Sequence, residues 1–107
     1  MTKDKHTPGP WSVAGRDTRL LPCSLVGANT LVANVYSTHY GDIEQETANA
    51  KLIAAAPDML IALRVARREL HACQSVIHLR GGFDPAYVDD ALRALQGIDA
   101  ILATATE

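Results

Sequence analysis

The spacing of the apolar residues changes once along the chain, near residue 42. Before that point they alternate or gather in short β-branched runs, and after it they recur at steps of three and four. Residues 1–10 are polar and close on Pro8-Gly9-Pro10, which withholds backbone donors and predicts an extended lead-in ending at Trp11. Trp11-Ser-Val-Ala14 alternates, Gly15-Arg-Asp-Thr18 has turn chemistry, and Leu20 to Val26 is apolar with Pro22 interrupting, a pattern that predicts a hairpin. Gly27-Ala-Asn29 reads as a second turn. Thr30-Leu-Val-Ala-Asn-Val-Tyr36 is rich in the β-branched and aromatic residues that suit a pleated surface. Residues 11–36 therefore predict a three-stranded antiparallel meander.

Residues 43–103 predict two to three helices. Ile43 to Ala56 holds mostly strong helix formers and is met by Pro57, which implies either a tight corner or a kink, with Pro57 opening the next helix and Asp58 at its positive end. In the second helix Met59, Leu63, Ala66, Leu70, Cys73 and Ile77 form one continuous seam, and Gly81-Gly82 ends it. Asp84, a capping residue directly before Pro85, starts a third helix with the stripe Val88, Leu92, Leu95, Ile98 and Leu102. Two such helices joined by a Gly-Gly turn predict an antiparallel hairpin. The expected fold class is α+β, with residues 1–107 as a single domain. Three short strands cannot cover both helical seams, so apolar surface is left over for another subunit and a homo-oligomer is expected. The alternative is that the helices fold back over the sheet.

Bulk composition narrows the classes. The 107 residues are 48% hydrophobic and 21% charged, which is ordinary globular composition. A formal charge of −2 supplies no general attraction to nucleic acid, so any anion site must be local. Cys23 and Cys73 lack CxxC spacing and read as reduced thiols. The start of the chain does not read as a signal peptide, and no apolar run reaches the length of a membrane span, which leads us to expect a cytosolic protein.

The catalytic templates fail in turn: the sequence holds no Gly-rich phosphate loop, HExxH, GxSxG or Rossmann fingerprint. His71 and His78 lie a heptad apart, too far for one metal ion to take both, and read as surface residues. Cys73 reads as a small buried hydrophobe rather than a nucleophile. Asp42, Glu44 and Glu46, at the start of the first helix, are explained by its dipole. No enzymatic activity, metal or cofactor is expected.

The basic residues carry the remaining candidates. Arg64, Arg67 and Arg68 crowd one side of the second helix, where Glu69 or Asp58 can compensate them, or where their guanidinium forks can hold phosphate. Arg16 and Arg19 flank the first expected turn. Trp11 and Tyr40 are the aromatics placed to stack on a base or ring, Trp11 alternatively anchoring the lead-in on the sheet.

Two segments, His6-Thr-Pro-Gly-Pro-Trp-Ser-Val13 and Ala48-Asn-Ala-Lys-Leu-Ile-Ala-Ala-Ala-Pro-Asp-Met-Leu60, resemble as a pair a widespread group of small phage and prophage proteins with an HTPGPW start and an NAxLIAAAP middle. The layout of sheet then helices is similar to that of the Thoeris anti-defence sponge proteins, which bind cyclic ADP-ribose variants between subunits. The resemblance implies a phage protein of the host cytoplasm that sequesters a cyclic nucleotide signal without turnover. None of that family's binding residues is matched one by one; read from the residues themselves, the ligand would be held by Arg64, Arg67, Arg68, Arg16 and Arg19, with Trp11 or Tyr40 stacking on it. A protein-binding inhibitor of a host defence complex, of the anti-CRISPR kind, and a structural phage accessory protein are the alternatives.

Overall fold

The structure, a computed structural model, describes residues 4–19, 22–37 and 41–106. Strands β1 (Ser12–Asp17), β2 (Cys23–Gly27) and β3 (Leu31–Val35) precede helices α1 (Ile43–Ala54), α2 (Ala56–Arg80) and α3 (Pro85–Thr106). The chain divides within α2 into two compact units, Met1–Met59 and Leu60–Glu107.

In the first unit the strands form the antiparallel sheet β1-β2-β3, and the α+β class holds. One boundary differs from the sequence reading. Gly15-Arg16-Asp17, expected as a turn, belongs to β1, where the register shifts between Val13 and Gly15 and Gly15 takes φ 140°. A glycine inside a strand marks a bulge as readily as a turn. Helix α1 starts where the Asp42 side chain accepts a hydrogen bond from the Gln45 amide, 3.0 Å away. It lies on the sheet face that carries Val26 and Val35. Those two residues and Ala50 are almost fully buried, with Trp11, Ala33 and Ala54 packed around them.

The lead-in and the α1–α2 corner meet in this unit. Pro57, in the first turn of α2, is buried, and a Cβ added at Gly9 would lie 2.7 Å from its Cβ. Glycine at position 9 lets the chain lie flat against that ring. Trp11 fastens the same stretch, its Nε1 donating to the Thr7 carbonyl at 3.1 Å while its ring packs on the core.

The second unit contains most of α2 and all of α3. Gly81 and Gly82 end α2 with φ of 68° and 79°, a left-handed turn that costs glycine nothing. Asp84 caps α3 by accepting from the Ala86 amide at 2.9 Å. The helices run antiparallel: Arg67 pairs with Asp99, and Gln74 Nε2 donates to the Val88 carbonyl at 3.1 Å. Leu95 is the buried centre, and Leu63, Ala66, Leu70, Ile77, Val88, Ala91, Ile98 and Leu102 are half-buried around it.

Three expected seam positions prove exposed, namely Met59, Cys73 and Leu92. On α2 the inward place falls to Gln74, whose amide reaches the backbone of α3, and Cys73 rotates outward. On α3, Ala91 takes the inward place and Leu92 the outer one.

Candidate functional site

Several charged residues of the first unit pair with each other. Across the sheet Arg16 stands opposite Ser24, and both reach Glu46 on α1. Arg16 Nε donates to Glu46 Oε2 at 2.7 Å and Nη2 to Oε1 at 3.2 Å, while Ser24 Oγ donates to Oε2 at 2.9 Å. Glu46 is only 2% exposed. The Arg16 bonds hold its carboxyl below the usual range against the opposite pull of burial, and Ser24 adds to the lowering. Glu46 was expected to serve only the helix dipole. It is instead the polar tie between α1 and the sheet, and it stays ionised. Arg19 donates to both oxygens of Asp17 from Nε and Nη2 and holds that carboxyl down to about 2.

The clustered arginines of α2, Arg64, Arg67 and Arg68, are engaged as well. Arg67 pairs with Asp99 of α3, Arg68 lies 3.5 Å from Glu69, and Arg64 also has an interaction partner. Of the two compensating carboxylates expected from sequence, Glu69 takes part; Asp99 adds a contact that no local spacing revealed. His71 and His78 lie at the surface. Arg16, Arg19 and Trp11 belong to the first unit and Arg64, Arg67 and Arg68 to the second, and Tyr40 lies outside the described residues. Among the described residues no three metal-ligating side chains come together.

What the second unit leaves open is apolar. Ile61, Val65, Val76, Leu79, Phe83, Tyr87, Leu92 and Ile101 are each 43% exposed or more. The two most open lie at the turn, Leu79 at 84% and Tyr87 at 76%, with Phe83, 51% exposed, between them. A further strip runs along the hairpin. With about 100° between successive residues, Ala62, Val65, Cys73 and Val76 share one side of α2, and Arg64, Arg67, His71 and His78 take the other. On α3, Tyr87, Ala94 and Ile101 recur at steps of seven beside the buried stripe. Because both helices are right-handed and run antiparallel, these two strips open on the same face of the pair. A shallow apolar depression of about 350 Å³, lined by Ala72, Cys73, Val76 and Ile77, lies within that face. The spacing of seven was visible in the sequence, but a single expected seam concealed it.

Across residues 1–106 the sequence matches the family described as Salmonella phage P22 protein Y8K6. The chain belongs to that family. It is therefore a phage protein, as the paired motifs implied, and the match spans both units. No curated protein and no solved structure matches it. Within the described residues no helix is long and apolar enough to cross a membrane.

Proposed function

We propose that this phage protein works by binding rather than by catalysis, as a non-enzymatic antagonist that docks on a protein of the host defence machinery in the host cytoplasm. The observation that carries the reading is the turn of the helical pair. Leu79, Phe83 and Tyr87 stand open there, around the turn that joins the two helices. Large side chains with few rotatable bonds are the usual anchors of protein interfaces, and water holds them exposed only at a cost in free energy. The polar groups of the first unit support the same reading, because the Glu46 carboxylate is buried and already accepts three hydrogen bonds from Arg16 and Ser24. Affinity capture from host lysate tests it. A defence component retained by the native chain is released by Leu79→Asp or Phe83→Ser, while helicity is unchanged. Equal capture by the tip variants refutes the docking site.

A second reading, sequestration of a cyclic nucleotide of the cyclic ADP-ribose or oligonucleotide type, is favoured by one feature: Arg64, Arg67 and Arg68 crowd together on α2. Phosphate oxygens would have to displace Asp99 and Glu69 from Arg67 and Arg68. Thermal-shift measurements with cyclic ADP-ribose isomers and cyclic di- and trinucleotides decide it. Stabilisation that is lost in Arg67→Ala supports sequestration, and no stabilisation by any of them refutes it.

A further inference from the structure

The second unit is too thin to hold itself together. It is one layer of two helices with one side chain, Leu95, properly buried. A helix pair buries a stripe on each partner, whereas a stable helical core needs side chains enclosed on all sides, which takes at least a third or fourth helix. A chain this short commonly completes such a core by association.

The face carrying Val65, Ala72, Cys73 and Val76 on α2, with Tyr87, Ala94 and Ile101 on α3, is the surface that such a core requires. It lies beside the existing seam, where the third and fourth helices of a bundle sit, and its residues are small or apolar except for Glu69, Asp90 and the end residue Arg80. A standard interface removes about 800 Å² from each partner, an area that this strip can supply along the length of the pair.

Because Arg64, Arg67 and Asp99 lie on the other side of the pair, charge bears on the occupant through the net charge of each helix and not through pairing within the strip. From residue 60 on, α2 carries Arg64, Arg67, Arg68 and Arg80 against Glu69 alone, while α3 carries Asp89, Asp90 and Asp99 against Arg93 alone. A basic helix beside an acidic one is already the rule inside the pair, where Arg67 meets Asp99. The partner that repeats this match is a second copy with its α3 over this α2 and its α2 over this α3.

We propose that two copies of this chain close face to face through their helical pairs into an antiparallel four-helix bundle, with the dyad parallel to the helices and both turns at the same end. The proposal deepens the binding reading and rests on it only in treating the apolar surface of the second unit as a binding surface. It also places the two sets of Leu79 and Phe83 side by side, doubling the patch offered to a host protein. The alternative dyad, perpendicular to the helices, would set basic α2 against basic α2 and is disfavoured by the same charges.

Light scattering on the full chain measures the first consequence. At tens of micromolar the expected mass is twice the 11.5 kDa of one chain; a monomer there overturns the proposal. Val65→Asp and Ile101→Asp, which place charge inside the face, yield monomer at concentrations where the native chain is dimeric. Leu92→Asp puts the same charge on the opposite side and stays dimeric. Loss of the dimer in all three, or in none, contradicts the assigned face. Trp11 fluorescence, in the first unit, verifies that each variant retains its sheet. Spin labels at Phe83→Cys in a Cys73→Ala background then fix the dyad. Turns at one end give roughly 10–25 Å, set by helix spacing near 10 Å plus the label arms, whereas turns at opposite ends give roughly 30 Å or more from the helix rise. The longer distance refutes the arrangement. A monomer mass with tip-dependent host capture intact would sink the bundle and leave the docking reading standing; a dimer without tip-dependent capture would do the reverse.

Discussion

Replacing Gly9 by alanine probes the contact that ties the lead-in to the helical corner. The added methyl carbon lies 2.7 Å from Pro57 Cβ and 3.3 Å from its Cγ. Carbon atoms attract best at about 3.5–4.0 Å, so the closer contact is too short by nearly 1 Å. The proline ring cannot swing aside, because it is part of the α2 backbone and is buried. The lead-in has to lift, loosening the Trp11 packing on Val26, Val35 and Ala50. Overpacking of this kind costs about 1–3 kcal/mol, and for a domain of this size each kcal/mol lowers the midpoint by roughly 4–8 °C. Thermal unfolding followed by fluorescence of the one tryptophan reports on this unit directly. Gly97→Ala is the comparison: its methyl meets nothing within 4 Å, and within α3 it should stabilise by roughly 0.5–1 kcal/mol. A midpoint for Gly9→Ala equal to or above that of the native chain refutes the packing of the lead-in on Pro57.

Further outcomes follow from the same contacts. Val26→Ala empties part of a site with no solvent exposure; the lost methyl groups and residual cavity cost about 2–3 kcal/mol, read by chemical denaturation. Because Arg16 lowers the folded-state pKa of Glu46, that carboxylate's stabilisation is complete above its unfolded pKa, near 4.5, and is lost as the pH falls through its folded value. Asp17 acts likewise between 3.8 and about 2. Acid unfolding of the first unit followed by Trp11 fluorescence should show this, and Glu46→Gln should flatten the dependence. A steeper acid limb in Glu46→Gln would contradict it. Cys73, within the proposed dimer face, reacts quickly with a thiol reagent at high dilution and slowly when concentrated, whereas buried Cys23 reacts only on unfolding. A concentration-independent rate at Cys73 would count against the face.

The elements were legible where local chemistry decides them. Asp84-Pro85 starts α3 as capping rules require, Pro57 opens α2, and the β-branched run becomes β3. The misreadings have long-range causes. Glu46 looked like one more acid in the first turn of a helix, yet its partners lie 22 and 30 residues away, and no spacing along α1 reveals them. Cys73 fitted the seam by period, but the hydrogen bond from Gln74 to α3 turns α2 so that the thiol faces out. Gly15 carries the same signal in a bulge as in a turn. The arginine cluster was visible, and so was its need for acidic partners; that Asp99 would supply one depends on how α3 folds back. The two motifs that resembled those of small phage proteins carry no chemistry individually. Together, Gly9 and Pro57 form one packing site.

If the helical pair owes its stability to association, as its exposed apolar surface implies, dilution should unfold it. Far-UV circular dichroism over a dilution series from tens of micromolar to well below one micromolar tests it most directly, with Trp11 fluorescence recorded on the same samples. Helical signal should fall on dilution while the tryptophan environment persists, and raising the concentration should restore the helices. Helicity that stays constant throughout the series, with a monomer mass at its dilute end, would contradict it.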